Sequence, residues 1–148
     1  MGNAKSFGTS DLGTRGDIHD LVIHFYREVA LDDLLGPVFG EVAEVDWAVH
    51  IPRLIDYWSQ VLLGEPGYDG AILAAHRSVH GLEPFRLELF ERWYDLFVTS
   101  VDGRWEGPQA ERAKAHAART AAILARRILH AEWSPTSGSA ERLRSHWS

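Results

Sequence analysis

The chain has 148 residues, a hydrophobic share of 45%, a charged share of 24% and a formal net charge of -6. These values describe one ordinary globular domain with room for a single core. They leave no basic stripe for a phosphate backbone, so nucleic acid is not an expected partner. The absence of cysteine removes disulfides, thiolate metal sites, cysteine nucleophiles and covalent attachment through Cys-x-x-Cys-His. No apolar run reaches membrane-spanning length and the first residues lack a signal-peptide core, so a cytoplasmic location without membrane contact is expected. Six tryptophans and eight histidines are many for this length.

Residues 1–16 hold four glycines among small polar residues and are expected to form a flexible N-terminal extension. A first helix is predicted from about Asp17, a good N-cap, with Asp20 in its first turn. Ile18, Leu21, Val22, Phe25 and Val29 mark its buried face. Tyr26 lies at the edge of that face, its ring fit for burial and its hydroxyl in need of a partner. Leu34 and Leu35 add a turn that Gly36-Pro37 breaks, and Phe39 follows as an apolar side chain on a turn.

Asp46 is a candidate cap for the second long helix. Trp47, Ile51, Leu54, Trp58 and Val61 form one stripe; His50, Leu54, Tyr57 and Val61 form the adjacent one. Pro52 interrupts both, since a proline inside a helix can cost about 3 kcal/mol. Either the helix kinks there, or it begins near His50 with Pro52 in its first turn. Gly64 to Gly70 is a dense set of turn signals, and Ala71 to Val79 is a short helical candidate carrying His76. Two histidines, His50 and His76, thus sit on segments joined by a chain reversal, an arrangement suited to the two sides of a flat cofactor.

Gly81 and Pro84 close that segment and open the next. From Phe85 to Val101 the pattern is apolar nearly all round, which predicts the most buried helix. Pro108 starts an Ala-rich final helix with Ala117, Ala121, Leu124 and Ile128 on its stripe. Residues 132–148 return to a linker-like composition and are expected to be a flexible tail, which leaves 17–131 as the ordered domain. A plain four-helix bundle satisfies most of this pattern, but it has no need of the short histidine-bearing segment.

The ordered motifs are Phe25-Tyr26, Leu35-Gly-Pro-Val-Phe39, Trp47-x-x-His50, Tyr57-Trp58 with Leu62-Leu63-Gly64-Glu65, Tyr68-Asp-Gly70, His76, and Phe85 through Trp93. Taken in that order they resemble the truncated haemoglobins, most closely group III, over nearly all of residues 18–130. The resemblance implies an all-α, two-on-two truncated globin fold around a haem pocket, with non-covalent haem b (protohaem IX, iron).

By motif match His76 takes the role of the proximal iron ligand, a neutral imidazole presented from a short element. His80, one turn later, is its local rival. Tyr26, His50 and Trp93 take the distal polar positions, Leu54 the apolar one above the haem plane, and Phe39 the ring against the macrocycle. Leu73, Val79, Phe85 and Leu89 would line the proximal side, and Arg53 and Arg77 would compensate the propionates. Pro52 departs from the family pattern and leaves the pose of His50 open. Without the likeness, Tyr26 and Trp93 would read as ordinary core aromatics.

The implied partners are diatomic ligands (oxygen, nitric oxide, carbon monoxide), with an external reductase required for turnover, in a monomer or weak dimer. Three function classes follow. The first is ligand binding, for scavenging and not for bulk oxygen transport. The second is redox chemistry: nitric oxide dioxygenation, a peroxidase-like reaction or electron transfer. The third is a haem-free helical interaction module.

Overall fold

The computed structural model of the chain describes residues 10–38, 47–66 and 86–135. Four α-helices lie within them: α1 (Arg15–Leu31), α2 (Trp47–Leu63), α3 (Leu87–Asp102) and α4 (Pro108–Leu124). α1 packs on α2 and on α3, while α4 packs on α3 and on α2. Each helix therefore meets two neighbours, which is a two-on-two arrangement around one core. None of the helices among the described residues is long and apolar enough to cross a membrane.

α1 begins earlier than its sequence suggested. Thr14 is the N-cap: its hydroxyl accepts from the Asp17 N–H at 3.1 Å, and the Asp17 carboxylate accepts from the Thr14 N–H at 3.2 Å. Asp17 is thus the third helical residue of a reciprocal capping box and not the cap itself. Ile18, Leu21, Val22, Phe25 and Val29 are buried as the periodicity predicted, and Tyr26 joins them.

Part of the expected flexible extension belongs to the fold. Leu12 is fully buried, and the Ser10 carbonyl accepts from the Glu106 N–H at 2.9 Å. The Asp11 carboxylate accepts from the N–H groups of Gln109 and Ala110 at 2.9 and 2.8 Å, which caps α4. A carboxylate at a helix N-terminus satisfies orphan donors and complements the helix dipole. Gly107, at φ 137, permits this approach, because a Cβ there would lie 2.6 Å from the Asp11 Cγ. The expected boundary at residue 17 is therefore corrected to include residues 10–16. At the other end Trp133 packs edge-on against Tyr94 with ring centroids 5.6 Å apart, so the fold reaches past residue 131 as well.

α2 runs without a break through Pro52, from three residues before His50. Pro52 lies on the exposed face of the helix. Leu54, Ile55, Trp58, Ser59 and Leu62 are the buried residues of α2, with Trp47, Ile51, Tyr57 and Val61 packed at the margin. The buried stripe is thus turned slightly from the predicted one.

α3 carries Leu89, Phe90, Tyr94, Phe97, Val98, Ser100 and Val101 inward. It is not apolar all round, because Leu87, Glu88, Arg92 and Thr99 are exposed. α4 starts at Pro108 and buries Ala110, Ala113, Ala117, Ala121 and Leu124 together with Lys114. The Lys114 ammonium is fully buried and paired with Asp102 at 2.7 Å and Glu111 at 2.9 Å. α4 then widens into a π-helical turn, Ala125–Leu129, which ends on His130 in the left-handed region.

Candidate functional site

Three of the expected polar residues converge where α1, α2 and α3 meet. Tyr26, on α1, follows Phe25, whose ring anchors the helix by edge contacts to Trp93 and Phe97 at 5.6 and 5.2 Å. This places the Tyr26 ring in the adjacent wall, only 6% exposed. His50, in the first turn of α2, meets it edge-on at 5.6 Å, and Trp47 lies 5.8 Å from Tyr26 and 5.6 Å from His50. From α3 the Trp93 indole N–H donates to the Tyr26 hydroxyl. Burial drives the Tyr26 hydroxyl far above the usual phenol range and the Trp93 bond offsets only part of that shift. The phenol therefore keeps its proton at any physiological pH and remains a donor.

The His50 ring is half-buried, with its Nε2 shielded from solvent. Leu54 lies one turn further along α2 and Leu89 one turn before Trp93, each 8% exposed. The cluster thus brings an O–H, an indole N–H and an imidazole nitrogen together among apolar side chains. Neutral donors in such surroundings suit a ligand that carries partial negative charge. They also fit a haem pocket's distal side, where iron-bound diatomic ligands need donors and an apolar wall.

No family model matches the chain. A group 3 truncated haemoglobin, ctb, of Campylobacter jejuni is 36% identical over 81 residues, which cover 53% of this chain and 61% of that protein. The matched segment is thus less than two thirds of that relative. The crystal structure of a group III truncated haemoglobin from Campylobacter jejuni superposes with a TM-score of 0.71 at 28% identity, covering 81% of this chain and 94% of the other. The chain thus shares the fold of that group III truncated haemoglobin and is similar to it in sequence.

The remaining expected site residues divide into two sets. Arg53 is exposed on α2 beside Pro52. Phe39, Leu73, His76, Arg77, Val79 and Phe85, together with His80, lie outside the described residues. The described part of the site is accordingly its tyrosine–tryptophan–histidine side.

Two supports of the site escaped the sequence reading. Asp32, just past α1, is almost fully buried. Its Oδ1 accepts from Arg92 Nε at 2.6 Å and Nη2 at 2.5 Å, and its Oδ2 from the N–H groups of Leu34 and Leu35 at 3.0 and 2.9 Å. Burial pushes the Asp32 carboxyl up, but Arg92 and the two backbone donors outweigh it and hold the group below the usual carboxylate range. This tie fixes α1 to α3 at the residue before Trp93. The second support is a stack: Trp93 lies on Phe97 at 5.8 Å and Phe97 on Trp58 at 5.0 Å, with planes inclined by only 14° and 18°. The signal for Asp32 was its place directly after a helix, where a short acceptor can cap the next turn; the stack's signal was the four-residue spacing of Trp93 and Phe97.

Proposed function

We propose that this chain would hold a non-covalent protohaem and bind diatomic ligands beside Tyr26, Trp93 and His50, with His76 as the residue that would ligate the iron. The observation that supports this reading is the convergence of donors from three helices on one buried spot, with the Tyr26 hydroxyl tied to the Trp93 indole. When bound, the haem supplies the iron that takes up the diatomic ligand. Tyr26 donates its O–H toward a ligand's negative outer atom, and Trp93 orients that hydroxyl or donates directly. Leu54 would exclude water from the site, Phe39, Leu73, Val79, Phe85 and Leu89 would form further apolar walls, and Arg53 and Arg77 would compensate the propionate charge.

A hydrogen bond to a charged group contributes roughly 1.5–3 kcal/mol, and about 1.4 kcal/mol is tenfold in an equilibrium constant. Oxygen, polar when bound, gains from such donors, whereas carbon monoxide gains much less. A ligand held this firmly is poorly suited to bulk transport and well suited to scavenging or to chemistry at the site. Oxidation of nitric oxide to nitrate is the enzymatic form we favour, with electrons supplied by an external reductase.

The test is the ferric and ferrous absorption spectrum after haem supply. A Soret band in the wild type, lost in its native form in His76→Ala and kept in His80→Ala, is the expected result; no band at all removes the haem reading. Nitrate formed in a single turnover of the oxygenated protein with nitric oxide tests the enzymatic form, and nitrate at background removes it.

A further inference from the structure

The stack behind Trp93 does not end in the core. Trp58, at its far end, meets Tyr57 edge-on at 5.4 Å and His116 edge-on at 5.4 Å. The Tyr57 hydroxyl and His116 Nε2 are 2.6 Å apart, a short hydrogen bond between α2 and α4. His116 in turn lines an open groove between those helices, together with Val61, Glu111, Arg112, Ala115 and Arg119. A line of aromatic rings, each within 6 Å of the next, therefore runs from the distal cluster to a phenol–imidazole pair beside solvent.

We propose that this line is an electron path, and that the Tyr57–His116 pair is a surface site where small anionic reductants of the phenol or enediol class are oxidised by peroxide reacting at the haem. The proposal rests on the haem reading above. Core packing alone accounts for the stack, since aromatic pairs add about 0.5–1.5 kcal/mol each. It does not account for an oxidisable phenol at the outer end, hydrogen-bonded to a base. Phe97 is not itself readily oxidised; it bridges Trp93 and Trp58, which are.

The charges around the pair suit the chemistry. Burial lowers the proton affinity of His116, and Arg119 and Arg112 lower it further, so the imidazole is neutral and able to accept a proton. Burial raises Tyr57, which keeps its proton until an electron leaves. Arg112 is held by the Val61 and Leu62 carbonyls at 3.1 and 3.4 Å, and the exposed Arg119 adds a second positive group to the groove. Glu111, the acidic group in the groove, is paired with the buried Lys114.

In each step one electron leaves Tyr57 along Trp58, Phe97 and Trp93, and the phenolic proton passes to His116 Nε2. A neutral phenoxyl radical and an imidazolium remain. A reductant in the groove returns one electron to Tyr57, which recovers its proton from His116, while the reductant's own proton goes to solvent. Two such steps reduce one hydrogen peroxide to two waters and leave two one-electron-oxidised reductant molecules. The protons released by the reductants equal those consumed in making water.

The experiment uses the full chain loaded with haem and mixed with hydrogen peroxide, then freeze-quenched for electron paramagnetic resonance; a nitroso spin trap with peptide mapping locates the radical. The expected result is a tyrosyl signal with the adduct on Tyr57, lost in Tyr57→Phe and reduced in Phe97→Leu. His116→Gln, which offers no base, should slow radical formation at Tyr57 while the Soret band and oxygen binding stay as in the wild type. Circular dichroism checks that each variant folds. A Soret band with peroxide consumed but the adduct elsewhere, or a Tyr57 signal unchanged in Phe97→Leu, overturns the electron path alone. Failure to form a Soret band overturns the haem reading, and the path with it.

Discussion

Asp32→Asn is the sharpest probe of how the site is held. The carboxylate is divided between two sets of donors: Oδ1 faces the Arg92 guanidinium at 2.5 and 2.6 Å, and Oδ2 faces the Leu34 and Leu35 N–H groups. An asparagine side chain must turn its NH2 toward one set, so donors oppose donors whichever way it flips. Bonds to a charged acceptor contribute roughly 1.5–3 kcal/mol each. The Arg92 side chain is 50% exposed, so its share is discounted for screening, while the 3% exposure of Asp32 leaves the backbone share intact. A loss of about 3 kcal/mol is expected, a large fraction of a total stability of about 5–15 kcal/mol. It is read as a lower urea midpoint at unchanged slope.

The pH dependence gives this prediction a second arm. The folded-state affinity of Asp32 for a proton is below its unfolded value, so its stabilisation is complete above the unfolded pKa and is lost as pH falls through the folded one. The gap between wild type and Asp32→Asn should therefore close in acid, below the usual carboxylate range. Because the tie sits one residue before Trp93, oxygen dissociation should also quicken in the variant. An unchanged midpoint, or a gap that persists undiminished into strong acid, would refute the reasoning.

Tyr26→Phe and Trp93→Phe should each raise the oxygen dissociation rate by about tenfold or more, with carbon monoxide release much less affected; flash photolysis and stopped-flow mixing measure both, and unchanged oxygen rates in the two variants would remove the distal network. Lys114→Ala removes the ammonium that pairs with Asp102 and Glu111, whose side chains are 22% and 13% exposed. Breaking a buried pair costs about 3–5 kcal/mol, and the partial hydration of both acids points to the lower end, readable as a fall in urea midpoint. Gly107→Ala forces a Cβ into the Asp11 carboxylate at a backbone angle that side chains rarely adopt. Thermal unfolding should show a loss of about 1–3 kcal/mol, and Asp11→Ala in the same background should add little, because the cap is already displaced.

What could be read from the chain was local or ordered along it. The face of α1, the proline start of α4 and the serial order of the aromatic and histidine motifs are all periodic or positional, and the helices and the likeness to the truncated haemoglobins followed from them. The features that escaped depend on partners far apart in sequence. Asp11 caps a helix whose first free N–H groups lie 98 and 99 residues away. One leucine among glycines carries no periodic signal, yet Leu12 is fully buried. Lys114 is buried among the alanines of α4, and its pairs with Asp102 and Glu111 explain how an ammonium can lie there. Pro52 left two outcomes open because propensity measures a local cost, and the packing of Trp47 against Tyr26 and His50 on the preceding turn decided for a continuous helix.

That same proline separates the donors into two kinds. Tyr26 and Trp93 project from the middle of α1 and α3, where Phe25, Phe97 and the Asp32–Arg92 tie hold the backbone from behind. His50 projects from the first turn of α2, and Pro52 has no N–H to bond back across that turn. The rest of α2 is fastened elsewhere: Arg15 pairs with Asp56 at 2.5 Å, and Gln109 donates to the Leu62 carbonyl at 2.6 Å. On the turn bearing His50, its ring meets those of Tyr26 and Trp47. Rigid donors at Tyr26 and Trp93 can hold a polar ligand without reorganising.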